Sequence, residues 1–429
     1  MAKPKLALIP AAYGSKFYSI LPSNGVGDFD FSRSSVATRI NPEGLIESLT
    51  SGQSRLDYPL VNGVQKGCPH YLLEPSRTNL IPYSEDFTQW SFKTGVSVLS
   101  NEIISVDGNL NGSKIETTAN GSRYVGNNYT LSTGDNTFSV FAKKGINNWI
   151  YLNVVKDVTN NWNYTFDLDN GLIGQSNSSA YSTTAKIEDY GNGWYRCSIS
   201  ANVTTAGVFT SRIYCADSAS DVSTIVGSNI YIYGAQLEEG SFASSYIPTN
   251  GTAVTRVGET ANGSGDASTF NSTEGVLMLE SKGFSDLQTS SSYIQLSKSG
   301  ESSSTNSLVI QHRNNGFLRI YANGFASANI IFNLNIDFTQ NHKIAVLYKL
   351  NSYRLFIDGF EQSLFGTPTQ AVFSGLDNLA FDLRGALGWN SQIKQLQYFD
   401  LALAGTQIEQ LTSWLSFRDM AEAQSYTIQ

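Results

Sequence analysis

The feature that most constrains this chain is a two-residue alternation of apolar and polar side chains, repeated in short runs and broken by Gly and Asn. In Trp149-Ile150-Tyr151-Leu152-Asn153-Val154, the residues Ile150, Leu152 and Val154 share one face, because successive side chains of a strand point to opposite sides. The pattern recurs at 137–142, 163–168, 194–199, 210–215 and 229–233, and again at 275–280, 307–310, 317–321, 343–348 and 353–357. Asp169-Asn170-Gly171 and Asp358-Gly359 are hairpin signals. Many short strands at this spacing predict an all-β protein with two β-sandwich (jelly-roll) domains in tandem. The composition agrees, with 22 Tyr, 23 Phe and 37 Gly suiting pleated surfaces and tight turns. A helix is expected only near the end. There Thr406-Gln407-Ile408-Glu409 matches a capping box, and Ile408, Leu411 and Leu415 follow at helical spacing.

Several classes fall away on charge and cysteine content. Lys+Arg number 28 against 36 Asp+Glu, a net charge of −8, so no basic field exists to hold a phosphate backbone and no nucleic-acid partner is expected. No apolar run reaches the ~20 residues that span a bilayer, so no membrane insertion is expected. The opening MAKPKLALIPAAYGSKF is broken by Pro10 and is not read as a signal peptide. Three cysteines, Cys68, Cys197 and Cys215, cannot build a disulfide scaffold and are read as free thiols.

The chain divides into five stretches. Residues 1–82 hold most of the ten prolines and show weak periodicity, which reads as an extended segment for attachment or interlocking. A jelly roll over 83–250 follows, then a polar, Gly-rich linker over 251–269. A second sandwich spans 270–402, and 403–429 is a short C-terminal helix and tail.

Two motif clusters carry a resemblance. Phe31-Ser32-Arg33-Ser34-Ser35-Val36-Ala37-Thr38-Arg39, Gly44-Leu45-Ile46-Glu47, Arg55-Leu56-Asp57-Tyr58 and Leu73-Glu74-Pro75-Ser76-Arg77-Thr78-Asn79-Leu80 resemble a segment of tailed-bacteriophage structural proteins. Gly191 to Cys197, Ala235 to Gly240 and Ser244 to Thr249 resemble the carbohydrate-binding-module-like jelly roll that follows it there. Residues 343–359 and 399–404 resemble laminin-G/concanavalin A-like domains. The resemblance implies a virion structural protein, a head or tail fibre or related appendage, assembled in the bacterial host cytoplasm. It implies other virion proteins as partners, a homo-oligomer with a trimer favoured, and contact with host-surface polysaccharide.

The chemistry of the side chains reads as binding. A glycosidase needs two carboxylates across one scissile bond; Glu238-Glu239 are adjacent and point to opposite faces of a strand. His70, His312 and His342 sit in different segments, His342 at a solvated strand start, with no nucleophile beside them. The chain is therefore expected not to be an enzyme, and no cofactor is expected. Asp167-Leu168-Asp169-Asn170-Gly171 has oxygens of the type a structural Ca²⁺ takes, but reads first as a turn. Trp194 reads as a core anchor, whereas Trp389 and Asn390 sit where lectin-like loops could bind. The carbohydrate-binding candidates are Tyr151, Asn153, Arg212, Tyr214, Tyr231 and Tyr233, which alternate against the apolar sets of their strands. The expected function is a fibre or appendage with lectin-like domains contacting host glycans. The alternatives are a passive assembly or decoration protein and, less favoured, a polysaccharide depolymerase.

Overall fold

The computed structural model describes residues 2–176, 181–284, 291–300, 306–313, 315–322, 330–364, 373–383, 387–416 and 419. The chain is all-β: antiparallel sheets make up two sandwiches, and the one α-helix among the described residues is short and lies near the C-terminus.

The first sandwich has two six-stranded sheets. One runs Phe92–Thr94, Tyr124–Leu131, Gly207–Ala216, Trp149–Val155, Asn161–Asp167, Leu172–Ile173. The other runs Val96–Ile104, Leu110–Thr117, Asn229–Glu239, Gly134–Lys144, Trp194–Val203, Thr183–Asp189. Ile150, Leu152, Val154, Phe166 and Ile213 from the first pack on Phe138, Val140, Ile199, Ile230 and Ile232 from the second. Each such side chain contributes roughly 1.5–3 kcal/mol when fully buried. Cys197 and Cys215 lie free in this core, where burial pushes both thiols up, Cys215 to about 12.

The second sandwich sets a five-stranded sheet against an eleven-stranded one. Here the structure differs from the expectation of a peripheral N-terminal segment. The strands Thr260–Asn262, Phe29–Ser32, Lys16–Leu21 and Leu6–Tyr13 continue the large sheet from Ser391–Phe399, which also pairs with His70–Leu73. Leu6, Leu8, Phe17, Phe29, Phe31, Tyr71 and Leu73 are all in the second sandwich's core. These apolar side chains of the N-terminal segment are thus buried within one chain. Periodicity was weak because these strands are short and the first is bulged at Ala7/Leu8 and again between Leu8 and Ala12.

Residues 251–269 are likewise not a loose connector. Val254–Arg256 pairs with Arg77–Asn79, and Thr260–Asn262 pairs with Phe29–Ser32. This stretch also brings two charges into a buried ionic network. Glu259 Oε1 accepts from Arg33 Nη1 and Arg55 Nε, each at 2.8 Å. Arg55 Nη1 donates to Glu74 Oε2 at 2.8 Å, and Arg256 Nη1 lies 3.0 Å from the same oxygen. Ser245 closes the ring, its amide donating to Glu74 Oε1 at 2.8 Å. Arg33, Arg55, Glu74, Arg256 and Glu259 therefore knit the N-terminal segment, the end of the jelly roll and the crossing between sandwiches.

The helix spans Gly405–Thr412, two residues earlier in its cap than expected: Ala404 is the N-cap and its amide donates to the Gln407 side chain at 3.0 Å. Ile408 packs on Val276, Met278, Leu347 and Phe356 of the second sandwich, but Leu415 lies past the helix end and is 96% exposed. Of the stretch 403–429, residues 417, 418 and 420–429 lie outside the described residues.

Candidate functional site

The outer faces of the two jelly-roll sheets have different fates. The sheet containing Asn229–Glu239 is covered by the N-terminal segment, while the one containing Trp149–Val155 carries a shallow depression over part of its outer face. Strand register builds that face, in which Tyr214, Asn153, Thr165 and Asn163 are buried and Tyr124, Tyr151 and Arg212 are half-buried. Tyr124, Tyr214, Tyr151 and Thr165 stand side by side in one row across four strands. Gly126, Arg212, Asn153 and Asn163 form the next row, and Asn128, Thr210, Val155 and Asn161 the one after. Four of the six expected residues, Tyr151, Asn153, Arg212 and Tyr214, thus meet at the wall of one shallow depression of about 500 Å³. Val158, at 89% exposure, stands on its lip.

The rings order one another. Tyr214 lies 5.0 Å from Tyr124 and 5.1 Å from Tyr151, centroid to centroid, within the range of favourable aromatic pairs. The Arg212 guanidinium sits 4.8 Å from the Tyr124 ring centre, a cation–π contact. Gly126 makes this possible, since a Cβ there would meet Ser211 O at 2.8 Å and Arg212 Cγ at 3.3 Å. Burial pushes Tyr151 up to about 12 and raises Tyr214, with Arg212 opposing both shifts. Both phenols therefore stay neutral at ordinary pH. Tyr124, Gly126, Asn128 and Thr210 were not found from the sequence, because their place on this face depends on cross-strand register.

Tyr231 and Tyr233 do not join the site. They lie on the other sheet, packed in a cluster with Ile40, Ile46, Phe141 and Trp194. Tyr233 is buried and donates to Glu85 at 3.1 Å and Asp107 at 3.2 Å. Alternation told which side of the strand they occupy but not that the N-terminal segment covers it. Trp194 anchors this cluster, its indole donating to Ile104 O at 3.0 Å. Trp389 is buried in the second core and donates to Ser281 Oγ, so it offers no platform. Asp167 spends its oxygens on the turn, accepting from the Asp169 and Asn170 amides. Glu238 is fully buried, held by Ser244 and Gln236, and Glu239 is exposed. His342 is not solvated: it is 9% exposed and bonds Asp358 at 2.6 Å and Asp337 O at 2.9 Å.

A larger cleft of about 990 Å³ runs between the N-terminal segment and the two sandwiches. Part of its charge is already paired, as in Lys186–Glu188 at 2.6 Å on one strand. Its Phe242 and Phe284 stack on each other at 5.5 Å. The tyrosine face is therefore the better-built candidate.

No protein-family model matches the chain, and no curated protein matches it significantly. Solved structures give faint likenesses. The Ruminococcus gnavus IT-sialidase CBM40 bound to α2,3-sialyllactose is similar over 34% of this chain and 86% of that one, at 13% identity and a TM-score of 0.28. The Streptococcus pneumoniae NanB sialidase is similar over 33% of this chain and 24% of that one, at 14% identity and a TM-score of 0.26. The Trypanosoma rangeli sialidase in complex with sialic acid is similar over 78% of this chain and 63% of that one, at 11% identity and a TM-score of 0.30. Residue roles, ligands and reactions do not transfer across likenesses of this size. The expectation that the chain is not an enzyme does not stand: sialidases are among the matched structures, and likenesses this faint establish neither an activity of this chain nor the lack of one.

Proposed function

We propose that this protein binds glycans through this outer face of its first sandwich. One observation carries the reading: register sets Tyr124, Tyr214 and Tyr151 in one row beside Arg212 and Asn153, and Tyr151, Tyr214, Arg212 and Asn153 together wall one shallow depression. Sugar rings lay their CH faces on aromatic rings, while amide and guanidinium groups bond the hydroxyls, so an aromatic row beside a polar row suits an oligosaccharide. Ligand sites of this kind combine apolar surface with a few placed polar groups. The phage-like motifs support a finer reading, a virion appendage that meets host-surface polysaccharide as part of a homo-oligomer. Antibody labelling of purified virions tests that part, and particles without signal overturn it.

The binding itself is tested with the full-length chain and its Tyr151→Ala variant on an oligosaccharide array. Loss of most signal in a variant whose circular dichroism matches the parent is the expected result. Equal binding by parent and variant overturns the assignment of this face.

A further inference from the structure

We infer that the ligand of this face is an acidic glycan, its carboxylate or sulfate held by Arg212; the inference rests on the glycan-binding reading above. Arg212 is half-buried, and among the described residues no carboxylate lies within ion-pair distance of it. Its Nε is buried without a hydrogen-bond partner. Elsewhere the chain handles buried arginines differently. Arg33, Arg55 and Arg256 each meet Glu74 or Glu259, and Arg196, which meets no carboxylate, gives Nη1 to Ser244 O at 2.7 Å and Nη2 to Ser139 Oγ at 3.1 Å. A guanidinium removed from water is costly unless an anion or such acceptors answer it. At Arg212 the protein supplies aromatic and phenolic neighbours but no anion.

The stacking fits the same purpose. With its plane held against Tyr124 at 4.8 Å, the guanidinium has lost rotamer freedom before a ligand arrives, and a planar fork matches a carboxylate in two parallel hydrogen bonds. Lys156 stands nearby on the rim, its ammonium turned to Ala206 O at 3.0 Å. The one carboxylate on the wall, Asp157, is engaged by its own loop, accepting from the Thr159 and Asn160 amides at 3.0 and 2.8 Å. It sets the direction from which an anionic group cannot approach, leaving the Arg212 side of the depression as the anionic subsite.

The test uses an array on which uronate-, sialate- and sulfate-bearing oligosaccharides are each printed beside the methyl ester or desulfated counterpart. Hits are then titrated calorimetrically with the full-length chain, Arg212→Gln and Arg212→Lys. The acidic member of a pair should bind about tenfold or more tightly than its neutral counterpart, the size of a charge-assisted hydrogen bond. Arg212→Gln should bring the acid down to the neutral level and leave the neutral sugar where it was. Arg212→Lys should fall between. The acid that binds names the source, uronate, sialate or sulfate. Equal binding of acid and neutral partner by the parent chain overturns this inference and leaves glycan binding standing. Absence of any bound sugar overturns both. The comparison on the parent chain does not depend on either variant folding.

Discussion

Arg55 and Glu74 meet at 2.8 Å with both side chains withdrawn from solvent, and they come from parts of the N-terminal segment that the rest of the molecule closes over. Burial alone would push the Glu74 carboxyl up, but Arg256 and Arg55 outweigh it and hold the group down at about 2. Breaking such a pair leaves an uncompensated charge in the interior, at a cost of about 3–5 kcal/mol. Glu74→Gln should therefore lower the denaturation midpoint by a corresponding amount. A midpoint within error of the parent would show that the network is dispensable.

The same carboxylate sets an acid limit. Its folded value lies below its ordinary one of 4.5, so its contribution is full above about pH 4.5 and is lost as pH falls toward 2. Parent stability should drop through that window, and Glu74→Gln, starting lower, should drop less steeply. Parallel curves would place the acid sensitivity elsewhere.

His342 works in the opposite sense. Burial would push it down, but the Asp358 carboxylate at 2.6 Å outweighs that and raises it above 6.5. Its stabilisation is complete below 6.5 and fades as pH rises through the folded value. The second sandwich should thus lose stability as pH rises from 6.5 through that value, seen as a falling melting temperature. His342→Gln should be flat over that range; an equal slope in the variant would exclude this residue as the cause.

These two cases also show what sequence can and cannot disclose. Ile150, Leu152 and Val154 sort inward by a local rule, and so Tyr151 and Asn153 sort outward without any knowledge of the fold. Gly126 and Tyr124 could not be placed, because only the pairing with Gly207–Ala216 brings them beside Arg212. Tyr231 and Tyr233 failed for a related reason: their side of the strand is local information, whereas the cover over it comes from residues near position 40. The role of Arg33 and Arg55 was hidden in the same way, since their counter-ion Glu259 lies 226 and 204 positions away.

Tyr71 ties the N-terminal hairpin to the second sandwich. Its hydroxyl accepts from the Ala11 amide at 2.9 Å and donates to Ile9 O. Tyr71→Phe removes both contacts to partly solvated backbone groups, at about 0.5–1.5 kcal/mol. The hairpin should open more often, so trypsin should cut after Lys16 several-fold faster than in the parent. An unchanged cleavage rate would mean that the strand pairing alone holds the hairpin.

The jelly roll should not stand alone. A fragment of residues 83–250 lacks Ile81, which is fully buried in the first core. It also lacks Asn79, whose side chain donates to Ala235 O at 3.1 Å and Ile247 O at 2.9 Å and accepts from the Leu237 amide. The covered sheet would then show Phe141, Trp194 and Tyr233 to water where Ile40 and Ile46 now lie. An aromatic patch of that kind invites association. The fragment should bind a hydrophobic dye, lose its near-ultraviolet dichroism and unfold without a sharp transition. A fragment that melts cooperatively with parent-like aromatic signals would mean that the N-terminal segment decorates a finished domain rather than completing it, and sugar-binding assays could then be run on the fragment as well as on the whole chain.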